Sequence, residues 1–137
     1  MIQGTRVLLL LILCSGMLSW LPQKAQAQAA TINFGPGSPG GYGHGNAGQG
    51  YIAAGGQYSQ ASGYGLVNII LYASKGNQSW SAVCSADTPT KGQWQGNIIR
   101  LSAGTYQCWA SITVIDLTTH VSTTVSTPVV PGVVIPP

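Results

Sequence analysis

The sequence predicts an all-β protein: a small antiparallel sandwich of two sheets with six or seven strands. Side chains along Gly104 to Asp116 alternate between a mostly apolar and a mostly polar face, as in a strand that covers a core on one side. Turn-forming residues recur about every 8 to 12 residues, the spacing typical of sandwiches and small barrels. Outside the N-terminal segment, no stretch has the 3.6-residue apolar period of a helix.

Charged residues are scarce in this chain. Its 137 residues, room for one domain, include five Lys or Arg and two acidic residues, Asp87 and Asp116. Arg6 and Lys24 lie in a segment that we expect to be removed, which leaves three cations against two carboxylates, a formal charge of +1. No basic patch remains to attract phosphate backbones, so the sequence predicts no nucleic-acid partner.

The N-terminal segment, Met1 to Ala27, has the pattern of a secretory signal peptide. Arg6 precedes an apolar stretch, and Ala25-Gln26-Ala27 is a small-x-small cleavage pattern. The alternative, a membrane anchor, is disfavoured because Val7 to Leu21 is shorter than the roughly 20 residues that span a bilayer. Cleavage after Ala29 is the second possible site. We therefore expect an exported protein, secreted or extracytoplasmic, with no membrane span after processing.

A glycine-rich segment follows the predicted signal peptide. Twelve of the 19 glycines lie between Gly35 and Gly65, and the first part of this stretch has few apolar side chains to offset the entropic cost of ordering. We expect residues 28–48 to form a flexible leader. A phosphate-binding loop is not indicated, since no Gly-x-x-x-x-Gly-Lys-Ser/Thr motif occurs. A lone His44 does not make a metal site, so no metal is predicted there.

The predicted sandwich domain covers residues 49–128. Runs of β-branched and apolar residues separated by turn residues define its strands, whereas prolines in the Pro/Val-rich tail, 129–137, discourage a central strand. The inward register of residues 93–101 stays open around Gly96. The predicted strands are 52–62, 66–73, 79–85, 93–101, 104–116 and 120–127.

Two cysteines, Cys84 and Cys108, lie beyond the predicted signal peptide. An even pair in an exported protein predicts a disulfide, which would close a loop of about 25 residues and stabilise the fold by roughly 3 kcal/mol. A redox-active or nucleophilic thiol is the alternative, but neither cysteine belongs to a Cys-x-x-Cys motif beside a helix.

The stretch Gly104-Thr105-Tyr106-Gln107-Cys108 resembles the start of the sixth strand in immunoglobulin-like and fibronectin type III-like sandwiches. The resemblance implies a tyrosine corner at Tyr106. Ser102 stands where that family has Asp, and Cys84 is too close in sequence to Cys108 to be the usual second-strand partner. A bridge would therefore join neighbouring strands.

Catalytic groups are few. Asp87 and Asp116 both fall in turn-like sequence, where Asp makes local hydrogen bonds, and no Gly-x-Ser-x-Gly motif accompanies His44 or His120. We expect no enzyme activity and no cofactor. Trp109 is predicted on the outward face of its strand, and together with Trp94 it is the candidate binding pair, since tryptophan is enriched in binding hot spots. Alternatively, other segments cover both rings.

These observations predict a secreted, non-catalytic module for binding or adhesion at the cell surface, with an unidentified protein or carbohydrate as ligand. The first alternative is a structural subunit of a surface assembly, in which the leader or the tail docks onto a neighbour by strand addition. The second alternative is a small secreted hydrolase.

Overall fold

A computed structural model describes residues 29–88 and 92–137. The predicted signal peptide therefore lies outside the described residues, apart from its alternative cleavage site at Ala29. In the described part, no helix has the length and apolar character needed to cross a membrane. A 3-10 helix occurs at Gly45–Ala47. The strands are β1 Ala30–Ile32, β2 Gly40–Tyr42, β3 Gly50–Gln60, β4 Tyr64–Lys75, β5 Gln78–Val83, β6 Ser85–Ala86, β7 Gln93–Leu101, β8 Gly104–Asp116, β9 Ser122–Ser126 and β10 Val130–Ile135.

The strands form two five-stranded antiparallel sheets. In the first, named the β3–β7 sheet, the order is β1-β3-β7-β6, and β2 also pairs with β3. In the second, the β4–β8 sheet, the order is β10-β8-β4-β5, and β9 also pairs with β8. The predicted all-β, two-sheet sandwich is confirmed, with ten strands among the described residues where six or seven were predicted. The four longest strands, β3, β4, β7 and β8, lie inside the two sheets, and the shorter strands pair along their edges.

The core lies between the inner faces of these long strands. Alternation along β8 directs its apolar residues inward, as the sequence predicted, and along β7 it is Trp94, Ile98 and Leu101 that are buried. Alternation along the sequence of β4 predicts Val67 on the same face as Ile69 and Leu71. A register shift between Leu66 and Asn68 instead leaves its side chain 51% exposed. The largest fully buried side chains are Tyr106, Ile52, Ile69, Leu71, Leu101, Ile112, Ile135, Val114 and Cys108.

The expected flexible leader was residues 28–48, and its described part, residues 29–48, is instead part of the sandwich. Strand β1 pairs with the end of β3, and β2 pairs with its beginning. Glycine is needed for this packing, because a Cβ on Gly41 would collide with the carbonyl oxygen of Val134 in β10. The segment is also joined to the C-terminal residues by a hydrogen bond from the amide of Gly45 to the carbonyl of Pro136, at 3.1 Å. The ordering cost is offset by backbone hydrogen bonds and by the packing of Ile32 and Phe34 against the core.

The Pro/Val-rich tail, residues 129–137, also belongs to the fold. Strand β10 pairs with β8, and a register shift between Val130 and Val133 accommodates Pro131 and Gly132. Proline lacks a backbone donor, so it is tolerated at such an irregularity on an outer strand. Val133 and Ile135 are buried, which anchors the tail to the core. The domain therefore extends beyond the predicted 49–128 at both ends.

Candidate functional site

An open cleft with a volume of about 820 Å³ lies over the outer face of the β3–β7 sheet. Strands β3 and β7 form its floor, the loop of residues 35–38 with Tyr42 forms one side, and Val83 and Ser85 form the other. We call it the amide cleft because four amide side chains line it: Gln57, Gln93, Gln95 and Asn97.

The alternation of β7 places these amides. Gln93, Gln95 and Asn97 are exposed on the outer face, whereas Trp94 and Ile98 between and beside them are buried in the core. Successive outward side chains on a strand are about 7 Å apart. The three amides therefore form a straight row along one strand of the cleft floor.

The neighbouring strand β3 has mostly small residues beside this row. Its register pairs Ala53 with Asn97 and Gly55 with Gln95, and only Gln57, paired with Gln93, adds another amide. The small side chains leave room above β3 for a ligand. This arrangement makes a shallow trough with polar groups along one side.

The loop beside the trough is held by hydrogen bonds. The amide of Gly35 donates to the carbonyl of Gly55 at 2.9 Å, and the amide of Gly55 donates to Ser38 Oγ at 2.9 Å. Tyr42 continues this side, with its ring stacked on that of Tyr51 at a centroid distance of 5.4 Å. These contacts give the loop a defined position as one wall of the trough.

The four amide side chains have no hydrogen-bond partner among the described residues. Some polar side chains elsewhere on the outer faces pair across strands, such as Thr31 with Ser59 at 2.5 Å and Thr113 with Thr124 at 2.8 Å. Other exposed side chains, such as Gln107, do not pair with any described residue, so the distinctive feature of the cleft is the clustering of its four amides. None of the described residues that line the cleft is acidic or basic. The cleft thus presents unpaired, uncharged donors and acceptors.

The two tryptophans named by the sequence analysis do not form one surface. Trp94 is 3% exposed, and its indole N–H donates to the carbonyl of Asn33 at 3.0 Å. Trp109 lies on the outer face of the other sheet, half-buried, with its ring stacked on Tyr72 at 5.3 Å. Trp94 borders the amide cleft from the core side of its strand, whereas Trp109 lies on the outside of the β4–β8 sheet, so the predicted binding pair does not share a surface.

Tyr106 is fully buried at the start of β8. Its hydroxyl donates a hydrogen bond to the carbonyl of Ser102 at 2.7 Å, and its ring meets Trp80 edge-on at 5.5 Å. Lys75 Nζ lies 5.0 Å from the Tyr106 ring centroid. These contacts join the turn before β8 to the core.

The predicted disulfide between Cys84 and Cys108 is absent, and both cysteines are free thiols. The register explains the difference: Cys108 lies opposite Ala73, whereas the amide of Cys84 bonds to Ile69, four residues away on the same strand. That offset is about 13 Å, beyond the roughly 7 Å between Cα atoms that a disulfide allows. Cys84 Sγ instead lies against Gly96, at the place a Cβ would occupy.

Burial changes the acidity of the two thiols and one phenol. It raises the pKa of the Cys108 thiol from 9.0 to about 11. It also raises the pKa of Cys84, although a backbone hydrogen bond from Leu71 opposes the rise. The pKa of Tyr58 is raised by burial and then by the nearby Asp87 carboxylate. All three groups are protonated and neutral at neutral pH, which disfavours a thiolate nucleophile.

We expect the free energy of unfolding to decrease as the pH rises from about 9 towards about 11, the ordinary and native pKa values of Cys108. In this window the native thiol keeps its proton and the unfolded thiol loses it, so the unfolded chain binds fewer protons and stability falls. Urea unfolding at a series of alkaline pH values measures the slope, and Cys108→Ala should make it shallower. An unchanged slope in the variant, or a loss of stability on adding reductant, would contradict the free buried thiol.

Both carboxylates, Asp87 and Asp116, accept hydrogen bonds from nearby backbone amides. Asp87 Oδ1 accepts the amide of Gln93 at 2.7 Å. Asp116 Oδ1 accepts the amides of Thr118 and Thr119 at 2.8 and 3.1 Å, and these bonds lower the pKa of this carboxyl group. Among the described residues, no group of three or more His, Cys, Asp or Glu is placed to hold a metal ion.

The fold and the cleft define this protein as a two-sheet β-sandwich with an uncharged, amide-lined trough on one outer face. Comparison with protein-family models, curated proteins and solved structures finds no match to the chain. The sequence analysis missed the amide row. A signal was present, since Gln93, Gln95 and Asn97 occupy alternate positions, but the open register around Gly96 left their face unassigned.

Proposed function

We propose that this chain is a non-catalytic binding module that acts outside the cytoplasm and holds its ligand in the amide cleft. The single observation that supports the proposal most is the row of unpaired amides above a small-residue floor. These amides are exposed to solvent, so a ligand that covers them has to replace their hydrogen bonds to water. Convergent polar groups in a concave surface are typical of binding sites. The N-terminal segment, Met1 to Ala27, supports export.

The positions of the acidic groups favour binding over hydrolysis. Asp116 already accepts hydrogen bonds from turn amides, and Asp87 accepts one from the backbone amide of Gln93. Neither carboxylate lines the amide cleft, although Asp87 lines an adjoining pocket. General acid or base catalysis needs such a group within hydrogen-bond reach of the reacting atoms. The cleft offers amides and hydroxyls instead, which orient a ligand without exchanging protons at neutral pH.

Ligand binding is expected to decrease about tenfold or more in the double variant Gln95→Ala/Asn97→Ala, because each lost hydrogen bond costs about 1 kcal/mol. Purified protein is screened on glycan and peptide arrays, and the affinity for any ligand found is then measured by calorimetry. Gln107→Ala is the matched control, because this exposed glutamine lies on β8 of the other sheet. Equal affinities for the double variant and the wild type would contradict the proposed site.

The alternative of a structural subunit joined by strand addition is favoured by one feature, strand β5. It is the last strand of the β4–β8 sheet, and its six residues, Gln78–Val83, include no charge and no proline. Natural edges usually have such blocking residues. The leader and the tail already pair within the sandwich, so β5 would be the accepting edge. Cleft variants leave β5 unchanged and therefore separate the two functions.

We also infer an immunoglobulin-like relationship for the sandwich. The hydrogen bond from the Tyr106 hydroxyl to the Ser102 carbonyl supports it, because a tyrosine corner bonds to the backbone a few residues upstream. The free thiol of Cys108 is a departure from the antibody pattern, in which the cysteine of this strand forms the inter-sheet disulfide.

A further inference from the structure

We propose that the amide cleft binds a neutral oligosaccharide chain, an inference that rests on the proposed binding function and names its ligand class. The first reason is the kind of polar group. A side-chain amide offers two donors and one acceptor, so it can bond to a hydroxyl in either direction. Gln57, Gln93, Gln95 and Asn97 present this dual capacity in a cleft with no acidic or basic described residue.

The second reason is the spacing of the amides. From Gln93 to Asn97 the row extends about 13 Å along β7, and Gln57 stands across from its first member. A single sugar ring is too short to reach all of these groups at once. A chain of linked rings with hydroxyls along its edge can pair with them in succession.

The third reason is the combination of an aromatic side with a small-residue floor. Tyr42 is 45% exposed and stacks on Tyr51, which restrains the orientation of its ring. Sugar rings have apolar C–H faces that can pack on the apolar face of an aromatic ring. Ala53 and Gly55 leave space above β3 for the ring that such a contact would place there.

An extended peptide fits this position less well. Peptides that add to sheets gain their affinity from unpaired backbone groups at an edge. Along the amide row, β7 pairs with β3 on one side and, at Trp94 and Gln95, with β6 on the other. The floor of the cleft therefore has few backbone groups to offer, and recognition depends on side chains.

The test uses protein expressed at full chain length, so that any processing takes place, and calorimetry at low and high salt. The probes are neutral β-linked and α-linked glucose oligomers, neutral oligomers of N-acetylglucosamine, an anionic uronic-acid oligomer and an uncharged Ser/Thr/Gly peptide. We expect a neutral oligomer to bind more tightly with increasing chain length and equally at both salt concentrations, since screening acts on charges. Tyr42→Ala should weaken this binding about threefold to tenfold, and Tyr42→Phe should retain it.

Four outcomes would overturn the inference. Tighter binding of the peptide, or of the anionic oligomer with loss at high salt, would contradict a neutral glycan as the ligand. In either case the cleft would remain the binding site if Gln95→Ala/Asn97→Ala weakens that binding. Glycan binding that depends on Trp109 and not on the cleft amides would move the site to the other sheet and contradict the proposed function as well. Absence of binding to every probe class on the arrays and in calorimetry would contradict both.

Discussion

Replacing Trp94 with alanine is expected to lower the free energy of unfolding by about 3 to 5 kcal/mol, the usual cost of truncating a buried large aromatic. Trp94 is 3% exposed. The variant loses the indole hydrogen bond to Asn33 and the contact with the Phe34 ring at 5.7 Å. The substitution also leaves a cavity beside Gly56, the residue of β3 that is paired with Trp94. The segment that follows β1 should therefore loosen along with the core.

Urea unfolding followed by circular dichroism measures this loss without relying on tryptophan fluorescence. The matched control is Trp109→Ala, which removes the same side chain from an outer face, where it is half-buried and stacked on Tyr72. We expect the control to lose less than half as much stability, since exposed and partly exposed substitutions cost less than core ones. Equal losses in the two variants would show that Trp94 is not the buried member of the pair.

Replacing Gly56 with alanine is expected to destabilise the protein by about 3 kcal/mol, the upper part of the range for overpacking. A Cβ at this position would collide with the Asn33 carbonyl oxygen and lie 2.8 Å from the Gly35 amide nitrogen. Both are backbone atoms, so no side-chain rotation relieves the clash. The segment of residues 33–35 would have to move away from β3.

This displacement has a functional consequence, because the same segment leads into the wall of the amide cleft. Hydrogen exchange should be faster in the Gly56→Ala variant at the amides of Asn33 and Gly35, which bond to Gln57 and Gly55 in the native fold. Gly35→Ala is the matched control: its Cβ would meet atoms no closer than 3.6 Å, an ordinary contact. Unchanged exchange in Gly56→Ala, or equal destabilisation by both substitutions, would contradict the described packing.

The long strands could be predicted because their information is local. Along β8, alternation alone separates the buried residues Tyr106, Cys108 and Ala110 from the outward Gln107 and Trp109. The same reasoning failed for Val67, since a register shift in β4 changes the face without changing the residue types. Alternation predicts faces only as long as the pairing is regular.

The amide cleft could be predicted only in part. Gln93, Gln95 and Asn97 alternate in the sequence, but Gly96 has no side chain to mark the inner face of β7 at that point. In the fold the sulfur of Cys84 takes the place of that missing side chain. The wall of the cleft depends on hydrogen bonds between residues 35–38 and Gly55, across a gap in sequence that no local pattern reveals.

Local side-chain alternation by itself determined that this chain is a sandwich of two layers of strands. Tertiary structure alone decided that the glycine-rich and Pro/Val-rich segments pair with β3 and β8, that Cys84 and Cys108 lie apart, and that four amides share one trough. The physical reason is that each of these features depends on backbone hydrogen bonds and close approaches between residues distant in sequence. Glycine and proline permit or block such contacts, but their partners are defined only once the strands have paired.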